Sequence, residues 1–337
     1  MFRLLPRSRP SVSKSRHNVS VISVVIPAYN GASYIGDALN SVYKQAYLPS
    51  ESLVVDDCSL DSTVELTERL VQSAPVPLRV LRMPKNSGGP CGPLNAGIRA
   101  AKGNWIAVLE QDDLMRPRRL EAQVEALSRH SEAALCIGRY EVFGAPSCQG
   151  LPWYLADPQF ADVFGPEAAW PTTSSFVIEP ATAFRALLRR NFTISNSNFC
   201  FAKRVWERVS GFDPRVRTVS DLCFVLRTLE VGPLAVANEV TLDYRWGAQS
   251  LNRAVPERVA NEMAQVLLAA LRRRPEWAGD QFWDSMTYIR SIASRQLRRG
   301  NALSASRLFL GTLLARTARK LSRRCTPPPK PQACATL

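Results

Sequence analysis

The sequence predicts an α/β domain with a mostly parallel central sheet, helices on its faces and a helical extension behind it. Three observations carry this. Short apolar runs alternate with amphipathic stretches at close spacing from residue 21 to residue 128, the pattern of right-handed β-α-β crossovers. Three of the strand-like runs stop abruptly at polar clusters, as strands do at the ligand-binding edge of an open sheet. From Pro256 onward strand signals cease and three long helical stretches follow.

Taken in order, residues 21–26 (VISVVI) read as the first strand, ended by Pro27, Ala28, Tyr29 and Asn30. A helix over 32–44 follows, with Ile35, Leu39 and Val42 on one face. Residues 52–55 form a second strand ended by Asp56, Asp57, Cys58 and Ser59; a helix over 62–73 and a strand over 78–82 come next. The Gly- and Pro-rich run 84–93 reads as a loop and 94–101 as a short helix. Strands are expected over 105–109, 133–140, 197–202 and 240–246, and helices over 117–129, 181–190, 204–209 and 222–229. Residues 144–180 read as irregular, with Trp153, Tyr154, Phe160, Phe164 and Trp170 suited to sugar stacking or to a core. Helices over 259–274, 280–299 and 302–322 complete the extension.

The organising stretch is 103–121, GNWIAVLEQDDLMRPRRLE. Its apolar run ends in Glu110, Gln111, Asp112 and Asp113, and Pro117 suits the first turn of the next helix. Three carboxylates packed together repel unless a cation neutralises them. Hard oxygen donors suit Mn²⁺ or Mg²⁺ rather than zinc. A solvated acidic turn is the alternative for this stretch by itself. In a parallel sheet, however, the clusters at 29–30, 56–57 and 110–113 share one edge and converge on one site.

The chain has 337 residues and a net charge of +14, placed at its ends. Residues 1–20 hold five basic side chains and residues 285–337 hold eleven, neither with an acid, so the middle is nearly neutral. Basic ends attract anionic partners such as phospholipid headgroups, lipid-linked phosphate or nucleic acid, or serve solubility alone. Basic residues without interleaved aromatics on a sheet face argue against nucleic acid, so none is expected as a partner. Pro27 to Ser33 replaces any GxGxxG after the first strand, which argues against a dinucleotide oxidoreductase. No apolar run nears the roughly 20 residues of a membrane span, and the N-terminus lacks a signal-peptide core. Eight cysteines without CxxC spacing read as reduced thiols, favouring the cytoplasm, with peripheral contact to the inner membrane face through the basic C-terminal helices. The expected organisation is a basic disordered tail at 1–19, a catalytic domain at 20–252, a helical region at 255–324 and a Pro-rich tail at 325–337.

Residues 21–45 (VISVVIPAYNGASYIGDALNSVYKQ), VVDDCSLDST at 54–63 and NSGGPCGPLNAGIRAAKGNWIAVLEQDD at 86–113 resemble family 2 glycosyltransferases of GT-A fold. GFD at 211–213, SDLCFVLR at 220–227 and YRWGAQS at 244–250 match later landmarks, so the resemblance covers roughly 20–250. It implies a nucleotide-sugar donor, with a UDP-sugar as the first expectation, a divalent cation and a glycan or lipid-linked acceptor in cell-surface polysaccharide biosynthesis. It implies Pro27, Ala28, Tyr29 and Asn30 around the nucleoside, Asp57 beside Asp56 on the base, and Asn86 and Asn95 as further donor contacts. Glu110 and Asp112 stand where the DxD motif stands and Asp113 follows, giving the metal set. Asp221 stands where the general base stands.

The chemistry agrees. A sugar-diphosphate leaving group gains negative charge that a divalent cation offsets, and the acceptor hydroxyl needs a base on the opposite face of the sugar. The only histidines are His17, in the N-terminal tail, and His130, at a helix end, so a carboxylate must serve. Displacement from the opposite face in one step inverts the anomeric centre. Arg245 and Lys85 are candidate phosphate contacts. Four departures stand out: Glu110 for the first Asp of DxD, Cys58 for the Gly of DDGS, Ser220 where Glu is frequent, and Gly247 where a His often follows Tyr-Arg. A basic nucleic-acid-binding or non-catalytic protein on a degenerate GT-A scaffold is the alternative reading.

Overall fold

The computed structural model describes residues 21–144, 172–246 and 255–325. The N-terminal tail, the aromatic-rich run 145–171, the end of the YRWGAQS stretch and the Pro-rich tail lie outside the described residues.

The first four strands are the parallel set the sequence predicts. β1 (Ile22–Ala28), α1 (Ile35–Tyr43), β2 (Glu51–Asp56), α2 (Thr63–Val71), β3 (Leu78–Arg82), α3 (Cys91–Ala100) and β4 (Trp105–Val108) alternate without exception. β1 and β2 are buried along their whole length, which explains their unbroken apolar runs. α3 begins at Cys91, inside the stretch read as a loop, because Pro93 falls in its first turn where a missing N–H costs nothing. Gly97 lets α3 lie close on the sheet: a Cβ there would meet Val25 at 2.5 Å and Val55 at 2.8 Å.

The second half departs from the parallel pattern. It runs β5 (Leu114–Met115), α4 (Arg119–Arg129), β6 (Leu135–Phe143), β7 (Ser175–Ile178), α5 (Pro180–Arg189) and β8 (Cys200–Ala202). Then follow α6 (Lys203–Arg208), α7 (Ser220–Thr228) and β9 (Leu234–Arg245). The sheet order is β3-β2-β1-β4-β8-β6-β9-β5, with β7 on β9. β8 enters antiparallel between β4 and β6, while β9 is parallel to β6.

Three strand expectations change here. β9 starts at Leu234 rather than 240: Asn238 and Glu239 interrupt its apolar pattern, but the ladder on β6 continues across a bulge there. β7 lies in the segment read as irregular; its four residues gain order by pairing with β9. Residues 196–198 of the run read as strand 197–202 form a 3₁₀ turn instead, capped by Ser195 Oγ accepting from Ser197 N.

The helical extension is α8 (Pro256–Arg273), α9 (Gln281–Arg298) and α10 (Ala302–Cys325). Leu267, Leu271, Phe282 and Ile289 join the same continuous hydrophobic core as the sheet. Among the described residues no helix is long and apolar enough to cross a membrane.

Cys58 occupies the position where the resemblance has Gly, with φ +64° and its Sγ donating to Met83 O at 3.2 Å. A left-handed L-residue costs about 1–2 kcal/mol, partly offset here by that weak bond and by the lower chain entropy of a non-glycine residue. Cys58→Gly is therefore expected to stabilise the chain by about 0.5–1 kcal/mol, read from the urea midpoint.

Candidate active site

Four segments meet at the carboxyl edge of the parallel strands. β1 runs into Tyr29, β2 into Asp57, β4 into Glu110–Asp113, and the N-terminus of α7 brings Asp221 across from the other half. Together with Asn86, Gly88, Gly89 and Asn196 they line a cleft of about 440 Å³. A larger groove of about 740 Å³ between α6, α7 and α8 holds Arg208, Arg227 and Arg273 but none of the strand-end carboxylates.

One end of the cleft is built from two loops. Asp57 N donates to Ala28 O at 2.7 Å, locking β1 and β2 together at their tips. The Asp57 carboxylate accepts from Ser87 N at 2.9 Å and from Ser87 Oγ at 2.8 Å, while Asn86 Nδ2 donates to Asp57 O. Burial and the neighbouring Asp56 outweigh these bonds and push the Asp57 carboxyl above its usual range. Tyr29 is pinned on both sides of its backbone by the Gln111 amide, at 2.9 Å each way. Gln111, unassigned by sequence reasoning, thus fixes the width between the first and fourth strand tips.

The acidic turn divides its labour. Asp113 is 1% exposed and points inward. It accepts from Ser197 Oγ at 2.5 Å, from Ser195 Oγ at 3.4 Å and from Arg245 N at 2.8 Å. Desolvation first, and Asp112 second, raise its pKa well above normal. Beneath it lies Arg119, fully buried, donating to Val108 O and Phe199 O. Desolvation lowers the pKa of Arg119 to about 10. Glu110 accepts from Asn196 Nδ2 at 2.8 Å, and its pKa rises to about 7 through desolvation, then through Asp112 and Asp221. Asp112 is half-buried; burial raises its pKa, while its own N–H and the Arg245 guanidinium oppose the rise.

Among the described residues no three His, Cys, Asp or Glu side chains are grouped to hold a metal ion by themselves. Of the three carboxylates expected in the metal set, Asp113 is engaged by the Ser195 and Ser197 hydroxyls and the Arg245 amide. Asp112 still fits a hard cation. Mg²⁺ and Mn²⁺ sites of this kind take one or two carboxylates, the remaining ligands being phosphate oxygens and water. Asp112 would be the protein ligand, with Glu110 beside it.

Asp221 sits in the first turn of α7 and is 8% exposed. Asn191 Nδ2 donates to its Oδ2 at 2.6 Å. Desolvation raises its pKa to about 6, against the Asn191 bond and the helix N–H groups that lower it. α7 is held in place by Phe224, whose ring lies 5.9, 5.0 and 4.1 Å from those of Phe199, Phe201 and Phe212.

Several expected contacts lie elsewhere. Asn95 is outside the cleft: its amide donates to Phe212 O at 2.8 Å and accepts from Phe212 N and Trp206 Nε1, bracing the Gly211 turn. Asp56 accepts from Ser59 N, and Asn30 accepts from Leu60 N; both shape the β2 turn rather than the cleft. Arg245 lies over Phe143 and Tyr34 at 4.5 and 5.1 Å and donates to Asp112 O, and neither it nor Lys85 lines the cleft. Sequence reasoning missed Asn191, Asn196, Ser197 and Arg217, which come from segments without periodicity.

The architecture is the GT-A fold. Against Staphylococcus aureus TarS 1-349 in complex with UDP the TM-score is 0.53 at 18% identity, over 90% of this chain and 92% of that one. Against the mannosyltransferase PcManGT from Pyrobaculum calidifontis in complex with GDP-Man and Mn²⁺ it is 0.55 at 18% identity, over 90% and 84%. Residues 23–167 match the glycosyl transferase family 2 model. The succinoglycan biosynthesis protein ExoO of Rhizobium meliloti is 42% identical over 117 residues, 34% of this chain and 31% of that protein. The poly(ribitol-phosphate) β-N-acetylglucosaminyltransferase TarS of Staphylococcus aureus is 33% identical over 132 residues, 39% of this chain and 22% of that one. Pasteurella multocida chondroitin synthase is 27% identical over 224 residues, 66% and 20%. The chain thus matches less than a third of the length of each of these relatives.

Proposed function

We propose that the chain is an inverting glycosyltransferase that moves a sugar from a nucleotide donor, a UDP-sugar first, to a glycan or lipid-linked acceptor in polysaccharide biosynthesis. The observation that carries this reading is the convergence of Asp57, Glu110, Asp112 and Asp221, from three separate segments, on one cleft. Asp57 and Asn86 receive the base, and Tyr29 flanks the nucleoside. Asp112 would hold a divalent cation, which would offset the charge that builds on the departing diphosphate. Asp221 takes the proton from the acceptor hydroxyl as that oxygen attacks C1 from the face opposite the leaving group. Its pKa of about 6 leaves it deprotonated, yet basic, near neutral pH. One displacement gives inversion, readable by NMR of the product anomer.

The test is a panel of UDP-, GDP- and dTDP-sugars with Mn²⁺, following release of the nucleoside diphosphate. Release from one class, lost in Asp112→Ala, is the expected result; silence across the panel sinks the reading.

The same proposal includes a membrane contact. Leu303, Leu310, Leu314 and Leu321 recur at helical spacing along α10 and are all exposed, Leu303 at 80%. Arg307, Arg316 and Lys320 share the helix, and no acid follows Asp284. Apolar residues with flanking cations suit an anionic phospholipid surface on the inner membrane face. Full-length protein is expected to float with phosphatidylglycerol vesicles and Leu310→Ser/Leu314→Ser to float less; equal flotation of the two removes the contact.

A further inference from the structure

The cleft is lined by five carboxylates, Asp57, Glu110, Asp112, Asp113 and Asp221, yet the class of ligand it would admit is itself an anion. Among the described lining residues one side chain is a permanent cation: Arg217. It belongs to the loop between Phe212 and α7, whose other basic residue, Arg215, is tied up by Asp213 in a bidentate pair. Arg217 is exposed and lies against the glycine loop of the opposite wall. A Cβ on Gly88 would fall 3.1 Å from the Arg217 guanidinium, and one on Gly89 3.1 Å from its carbonyl oxygen. Glycines at 88 and 89 therefore make room for this arginine, and Gly88, at φ +77°, also needs the left-handed backbone.

The loop carrying Arg217 is fixed from outside the matched family segment. Glu262, on α8 of the helical extension, is 9% exposed. Its Oε2 accepts three bonds: Arg217 N at 2.9 Å, Thr218 N at 2.7 Å and Thr218 Oγ1 at 2.8 Å. A buried carboxylate with three donors is a strong, directional anchor. It sets the backbone on which the Arg217 side chain stands, three residues before the first turn of α7 that bears Asp221.

We propose that Arg217 is a binding residue for the diphosphate of the donor, and that Glu262 is a positioning residue through which the helical extension sets donor affinity. This rests on the donor reading above. A guanidinium over the glycine loop offers forked N–H donors to phosphate oxygens, where an ammonium acts as a point charge. It also supplies, from the protein, positive charge that the acidic floor lacks.

The test uses the full chain and calorimetric titration with UDP, GDP, ADP and dTDP, then uridine by competition with whichever diphosphate binds. Arg217→Gln is expected to weaken diphosphate binding tenfold or more and to leave the nucleoside within twofold; Arg217→Lys recovers part of the loss. Glu262→Gln is expected to raise the donor KM several-fold at little change in kcat. Wild-type binding matched by Arg217→Gln overturns this inference alone. Equal losses for diphosphate and nucleoside in Arg217→Gln also overturn it, because the arginine then serves the base or the loop. A wild-type chain that binds none of the four diphosphates overturns the donor reading, and this inference with it.

Discussion

Asp221→Asn is expected to abolish transfer, by about 10³-fold or more in kcat, while making the protein more stable at alkaline pH. The first half follows from its role. General-base assistance is worth about 10²–10⁴-fold, and the chain has no histidine among the residues lining the cleft to take over. The second half follows from its environment. Desolvation raises the Asp221 pKa from 3.8 to about 6, so the folded state prefers the protonated form. The stabilising contribution of a raised carboxyl is full below pH 3.8 and is lost as pH rises through about 6. Above that the wild type carries a buried charge whose cost is on the order of 3 kcal/mol. Asparagine keeps an acceptor for the 2.6 Å bond from Asn191 and carries no charge. Thermal melts at pH 5 and pH 8 should therefore show the variant gaining on the wild type only at the higher pH. The wild-type kcat/KM profile should fall on its acid side near pH 6. An acid limb near pH 4, or a variant destabilised at pH 8, contradicts the assignment.

Activity and stability thus pull in opposite directions at this residue, which is common where a charged group is held in a dry site. Phe199, Phe201 and Phe212 pack on Phe224 of α7, the helix whose first turn bears Asp221.

The parts of the fold and site that the sequence made legible share one property: local pattern and final environment agree. β1, β2 and β4 are buried on both faces, so they read as apolar runs, and their polar ends mark the sheet edge. Asp57, Glu110 and Asp112 were picked out this way, and Asp221 through the resemblance and its place near a helix N-terminus. β9 was cut short because a bulge at Asn238–Glu239 breaks periodicity without breaking the ladder. β5, with two residues, is too short to carry any period. Arg217 and Glu262 were invisible for another reason. One lies in an aperiodic loop and the other reads as a polar position on an amphipathic helix, and their meeting is purely tertiary. Asn95 differs from what the resemblance implies: expected as a donor contact, its amide is claimed by the Gly211 turn, at φ +70°.

Adjacent aspartates pose the hardest case for sequence reasoning, because nothing in the run EQDD distinguishes Asp112 from Asp113. The structure separates them by direction, and the separation predicts two different failures. Asp112→Ala is expected to lose at least about 10³-fold in kcat, since a cation on a departing phosphoryl oxygen is worth several kcal/mol. Its melting temperature should stay near that of the wild type, because no side-chain donor in the described residues depends on its carboxylate. The extra thermal stabilisation that Mn²⁺ adds to UDP binding should vanish with it. Asp113→Ala is expected to fail by another route. It strands Ser197 Oγ, Arg245 N and the buried Arg119 charge, all of which Asp113 now faces. Removing one partner of such a network costs about 3–5 kcal/mol, so the melting temperature should fall by many degrees. What activity remains at low temperature should keep its Mn²⁺ dependence. Reversal of the two phenotypes, with Asp113→Ala stable but metal-blind, would move the metal ligand one residue along and turn Asp112 into the structural carboxylate.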